Sequence, residues 1–311
     1  MSPSRMIKYE GFFLAVVCLL FWAGCKSVKQ KNEPADNKYK GTINVSADES
    51  FKPIIDAQVQ VFEANRRAAK IRVQYKPEAE CLKDFGVDSI RMIIATRSYN
   101  EDEKNFMVDS MDVSPESMIV ARDAIAVIVS PEAPYTEFTM KDIVEILRGT
   151  FSKNLIPVFD GVKATSTVRF IIDSVLHGNS LTSKAEAARS SEGVIDYVSK
   201  NPDVVGFIGL SWIGNPEDTA QIGYLKKVRM AAIESTGMPG VYVKPSQANI
   251  YLKRYPMVRD LVYTLKENYK GLGFGFAGFM SGEIGQLIFR RAYLVPQVLK
   301  NFGIRPIKLK K

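Results

Sequence analysis

The segment FDGVKATSTVRFIIDSVLHG, residues 159–178, places three hydroxyl side chains, Thr165, Ser166 and Thr167, directly before apolar positions that recur at helical spacing. Val168, Ile171, Ile172, Val175 and Leu176 follow i, i+3, i+4, i+7, i+8, the buried stripe of an amphipathic helix. Thr165 or Ser166 is then the N-cap. The first N–H groups of a helix lack intrahelical partners and its start carries partial positive charge, so the spot suits an anion. Arg169 stands in the first turn, where the helix dipole disfavours a cation; an anion between the two would account for it, and so would an ion pair with Asp173 one turn later. Two more stations have a related make-up. Ser50 and Phe51 follow a strand end in DESF, and Thr96 and Arg97 close the apolar strand IRMIIATRS, the end at which an α/β sheet presents ligand-binding groups. A surface ion pair is the other reading of Arg97.

The same inventory argues against catalysis. The single histidine, His177, lies 11 residues beyond Ser166, roughly 16 Å along a helix at 1.5 Å per residue, so the two cannot form a nucleophile and base. No HExxH, phosphate-loop lysine or calcium-loop pattern is present, and GLGFGFAG lacks the spacing of a dinucleotide loop. Of three cysteines, at 18, 25 and 81, none sits in a zinc or redox spacing. No cofactor or metal is expected.

The elements that must position these residues alternate. TINVSA, KIRVQYKP and IRMIIATRS read as strands, separated by the helix KPIIDAQVQVFEAN, with its proline in the first turn, and a short helix at EAECLKDFGVDS. This pattern predicts an α/β protein with mostly parallel sheets. DAIAVIVSP is a strongly apolar strand by which the chain leaves a first domain, and YVKPSQANIYL is where it returns, so the domains are expected at 41–124 plus 242–311 and at 125–241. The stations near 50 and 97 fall in the first and the hydroxyl run in the second, the arrangement of a cleft that closes on its ligand. GFAGFMSGEIGQLIFRRAYLVP reads as one long helix.

Of the 311 residues, 46% are apolar and 24% charged, enough for two core-forming domains. The sequence pI of about 9.2 comes from the ends. The leader 1–24 holds two basic and one acidic residue, the linker 26–40 five and two, and the tail 299–311 five and none, which leaves a body of net charge −1 out of +8. That body has no basic stripe for nucleic acid. Residues 1–24 read as a signal peptide, with Arg5 and Lys8 before the apolar run Phe12 to Ala23, too short to span a bilayer. FWAGC resembles a bacterial lipobox, which implies lipidation of Cys25, and residues 25–40 are polar and aperiodic like a tether.

In their order, ESF, IIATRS, DAIAVIVSP, ATSTVRF, VVGFIGLSW, YPMVRDLVYTL and GFMSGEIGQLIF resemble the phosphate-type substrate-binding lipoproteins of ABC transporters. The resemblance implies a type II periplasmic binding protein fold with two crossovers between domains. It implies a monomer, held by lipid and facing the periplasm, that captures phosphate or a similar oxyanion for a permease and its ATPase. Carried over position by position, it makes Ser50, Phe51, Thr165, Ser166 and Thr167 anion ligands, with Thr96, Arg97 and Arg169 beside them. The family's arginine before the second loop is replaced by Asp160 and Gly161, its second-loop serine falls near Glu80, and its aspartate after the strand end is replaced by Arg97. Arg97 or Arg169 is then expected to supply the cation. Two rival readings are an enzyme on the same scaffold, and a sensor or scaffold lipoprotein that no longer binds.

Overall fold

A computed structural model describes residues 36–111, 113–161 and 165–297; the leader, Cys25, the tether up to residue 35 and the basic tail lie outside the described residues. The chain opens with β1 (Gly41–Asp48), whose alternating GTINVSAD buries Val45 and Ala47. A single tight turn, Glu49–Phe51, leads into α1 (Lys52–Asn65), with Pro53 in its first turn where no N–H is required. Then come β2 (Ala69–Lys76), α2 (Glu78–Lys83), β3 (Ile90–Ala95) and α3 (Glu101–Met111). The 14-residue β4 (Glu116–Val129) follows, then β5 (Glu137–Phe138), α4 (Met140–Arg148), β6 (Ile156–Phe159) and α5 (Ser166–Phe170), which a wider π turn extends to Val175. The chain continues through β7 (Glu186–Ala187), α6 (Ser191–Lys200), β8 (Val204–Gly209), α7 (Thr219–Lys227), β9 (Arg229–Met230), β10 (Ala232–Ser235) and β11 (Met238–Val243). It closes with α8 (Gln247–Tyr251), β12 (Val258–Leu265), α9 (Leu272–Ser281), α10 (Glu283–Arg291) and β13 (Val295–Pro296).

The principal sheet has the order β2-β1-β3-β12-β4-β8-β6-β7. Its outer strands are parallel to their neighbours, as strands joined by helical crossovers must be. Its centre is antiparallel, unlike the mostly parallel sheet expected from the alternation of elements: β12 runs against both β3 and β4, and β4 runs against β8. These strands carry the chain between the two ends of the sheet, so their direction is set by the crossing and not by a βαβ return.

β4 belongs to both ends. Glu116 to Ala124 pair with β12, and Ile125 to Val129 pair with β8. One apolar core gathers β1, β3, α1, α9 and α10; a second gathers the far half of β4 with α4, α5, α6 and β8. Ile250, Tyr255 and Met257 pack in the second core, with Val243 and Val258 against it. The expected long helix is instead α9 and α10, bent by 59°. No single described helix is long and apolar enough to cross a membrane.

Candidate functional site

The first station is built where β1 runs out. Asp48 accepts the Ser50 N–H at 3.0 Å, which fixes the turn and sends the Ser50 hydroxyl inward. The second is built where α5 begins. Thr165 is the N-cap, accepting the Val168 N–H at 3.3 Å, and Val168, Ile171, Val175 and Leu176 bury the stripe expected of them. The two stations meet: the Ser50 and Ser166 hydroxyl oxygens lie 3.3 Å apart, both sealed from solvent.

The residue that joins them is Arg259 of β12, which sequence reasoning missed. Its Nη1 donates to Ser166 at 2.9 Å and to Thr167 at 3.4 Å. Its Nε and Nη2 donate to Asp123 Oδ2 at 3.0 and 2.8 Å, and Asp123 is its cross-strand partner in β4. The guanidinium lies 5.1 Å from the centroid of the buried Phe51 ring, so Phe51 serves the cation with its face. The Ser211 hydroxyl donates to the Ser50 carbonyl at 2.6 Å, tying the β8 end to the same turn. A lone arginine within YPMVRDLVYTL and a lone acid at the head of DAIAVIVSP were the available signal: each is a charge set in an apolar strand, where it requires a partner.

Carboxylates surround this cation. Asp48 is fully buried, and desolvation lifts its pKa to about 6 against the lowering charge of Arg259. Desolvation and the charge of Asp160 raise Glu49 to about 7. Burial also raises Asp160 and Asp123, again opposed by Arg259. The Ser191 hydroxyl bridges Glu49 at 3.1 Å and Asp160 at 3.3 Å. Asp48 Oδ2, Asp123 Oδ1 and Asp160 Oδ1 are buried and have no hydrogen-bond partner among the described residues. No group of three or more His, Cys, Asp or Glu side chains among those residues is placed to hold a metal.

The remaining expected residues divide. Buried Glu78 accepts from the Thr96 N–H at 2.9 Å, from the Thr96 hydroxyl and from Arg169 Nε at 2.6 Å. Arg169 Nη2 also donates to Thr96 Oγ1 at 2.6 Å, and its contact with Asp173 is the longer one, at 3.3 Å. Burial pushes the Glu78 carboxyl up, but Arg169 and Thr96 outweigh it and hold it below the usual carboxylate range. Arg169 therefore reaches from α5 to α2, a link that neither sequence-level reading contained. Arg97 stands apart, paired through both terminal nitrogens with Glu103 of α3 at 2.7 and 2.9 Å.

A model of the PBP superfamily domain matches residues 32–283. Among solved structures, a putative phosphate ABC transporter substrate-binding protein with bound phosphate from Clostridium perfringens superposes with a TM-score of 0.67 at 18% identity, covering 83% of this chain and 100% of its own. An ABC-type phosphate transport receptor from Vibrio cholerae gives 0.61 at 15% identity, with 82% and 100% covered. PstS from Borrelia burgdorferi gives 0.51 at 17%, with 83% and 99% covered. No curated protein matches the chain.

Proposed function

Because the chain belongs to the PBP superfamily, we propose that it is a non-enzymatic oxyanion-binding protein whose ligand is phosphate or a similar oxyanion. Its fold is that of type II periplasmic binding proteins. The observation that supports the reading is the meeting of Ser50 with Ser166, 116 residues away along the chain, where Ser166 and Thr167 both accept from the buried cation Arg259. The two ends of the sheet act as lobes, residues 41–124 with 258–297 and residues 125–257, that open about β4 and β12. On opening, the Ser50 and Ser166 hydroxyls exchange their mutual contact for ligand oxygens. Thr165 holds the α5 start in place, and Thr96 and Arg169 close over the ligand from the side. Arg97, committed to Glu103, is assigned no ligand role.

The surplus of carboxylates agrees with a ligand that still carries a proton. Asp48 Oδ2 and Asp160 Oδ1 have no geometrically close donor among the described residues, and a protonated phosphate brings O–H donors that sulfate lacks at the same pH. They restore the acceptor that the Arg97 substitution had removed by resemblance. The solved relatives named above are described as phosphate transport proteins, which supports delivery to a permease and its ATPase. Lipid attachment through Cys25, a location facing the periplasm and a monomeric state belong to the same proposal. Calorimetric titration with phosphate, sulfate and arsenate tests it: phosphate binds at least tenfold more tightly than sulfate, and Ser166→Ala weakens it. Absence of binding to all three anions would instead favour a sensor or scaffold, a reading to which the closed Glu78–Arg169 link also lends support.

A further inference from the structure

A cavity of about 980 Å³ opens beside the polar cluster, between α2 and α3 on one side and α5 on the other. Its wall is mostly carbon, from Leu82, Phe85, Phe106, Met107, Val168 and Ile172. A bare tetrahedral anion has no use for such a wall, whereas cavities of this size with a few polar groups are the usual sites of organic ligands. The cavity adjoins the candidate site through two residues. Glu78 lines it while holding Thr96, and Arg169 lines it from the same first turn of α5 that supplies Ser166 and Thr167.

The charges at its rim are mostly matched within the protein. Arg97 is neutralised by Glu103, and Arg169 Nε by Glu78. Among the described residues, Arg169 Nη1 has the 3.3 Å contact to Asp173, whose side chain is 55% exposed. That nitrogen is the donor a ligand oxygen can take over at least expense, because its present partner is long and solvated.

We infer that the preferred ligand is a tetrahedral oxyanion bearing one apolar carbon substituent, such as an organic phosphonate, with its head between Arg169 and the hydroxyl cluster and its substituent in the cavity. This rests on the oxyanion reading above and narrows it. The test compares inorganic phosphate with phenylphosphonate by calorimetry on the wild-type protein and two variants. Gly86→Trp fills the cavity mouth, and a Cβ at that position meets nothing within 4 Å. Phe106→Asp removes part of the wall, and because Phe106 is 66% exposed the fold tolerates the change.

Phenylphosphonate is expected to bind wild type at least tenfold more tightly than phosphate, and both variants to lose that advantage while keeping their phosphate affinity. Phosphate binding with no preference for phenylphosphonate, or a preference that survives both variants, overturns this inference and leaves the oxyanion reading standing. Failure of both ligands to bind wild type overturns the two together.

Discussion

At the scale of single residues, the site depends on one buried ion pair. Arg259 and Asp123 expose 2% and none of their side chains, so each is tolerable only because of the other. Arg259→Met should therefore cost about 3–5 kcal/mol of unfolding free energy, since it strands the Asp123 carboxylate among apolar strands. Adding Asp123→Leu should recover most of that loss, because two apolar side chains satisfy the same space without a buried charge. Urea denaturation of the single and double variants reads both values; a loss below about 1 kcal/mol for Arg259→Met would mean that water reaches the pair. The pair eluded sequence reasoning because its members lie 136 residues apart, and only the antiparallel register of β4 and β12 makes them neighbours.

At the scale of elements, the end of β8 is shaped to admit that pair. A Cβ on Gly209 would stand 2.6 Å from Arg259 Nη2, 3.1 Å from the Ser50 carbonyl and 3.3 Å from Asp123 Oδ2. Gly209→Ala should cost about 1–3 kcal/mol as the neighbours shift, and should also weaken phosphate binding, because the group that must move is the cation. Gly206, three residues earlier on the same strand, gives the comparison. Its Cβ would meet Ile128 and Val198 at 2.7 Å, so Gly206→Ala should lower the melting temperature and leave binding intact. Equal losses of affinity in the two variants would remove the special role of Gly209. Most elements were legible as periodicity, including the α5 stripe and the strands that end at Asp48 and Ala95. The break between α9 and α10 was not, because helical spacing continues through MSGEIG. The break falls at Gly282, beyond which Gly285 approaches the Phe279 carbonyl so closely that a Cβ would stand 2.3 Å from it.

At the scale of the molecule, the Glu49–Ser191–Asp160 link joins the turn after β1 to the β6 end and the start of α6, and both of its carboxyls are shifted upward. A carboxyl raised in the folded state binds its proton more readily there than in the unfolded chain. Stability therefore falls as pH rises from the ordinary carboxylate range through the folded value. For Glu49 that window runs from about 4.5 to about 7, and for Asp48 from about 3.8 to about 6. Glu78 is shifted the other way, so its contribution is lost only at still lower pH. The melting temperature should be higher at pH 5.5 than at pH 8, and Glu49→Gln, which keeps a hydrogen-bonding partner for Ser191 without the titration, should reduce the difference. An unchanged difference in Glu49→Gln would mean that the pH dependence arises elsewhere.

From the sequence alone followed the α/β class, the family resemblance, and the hydroxyl side chains at Ser50 and Thr165–Thr167. Those features are local, written in spacing and side-chain type. The placement of Arg259 against Ser166 and Thr167, the partner of Arg169 and the surrounding carboxylates were decided only by tertiary structure. Arg97 and Arg169 were the cations read from position along the chain; in the structure Arg97 pairs with Glu103 six residues on and Arg169 with Glu78 of α2. Charge in a buried site is allotted by which strands and helices come together, and no spacing along the chain records the register of β4 against β12 that placed Arg259 against Ser166 and Thr167.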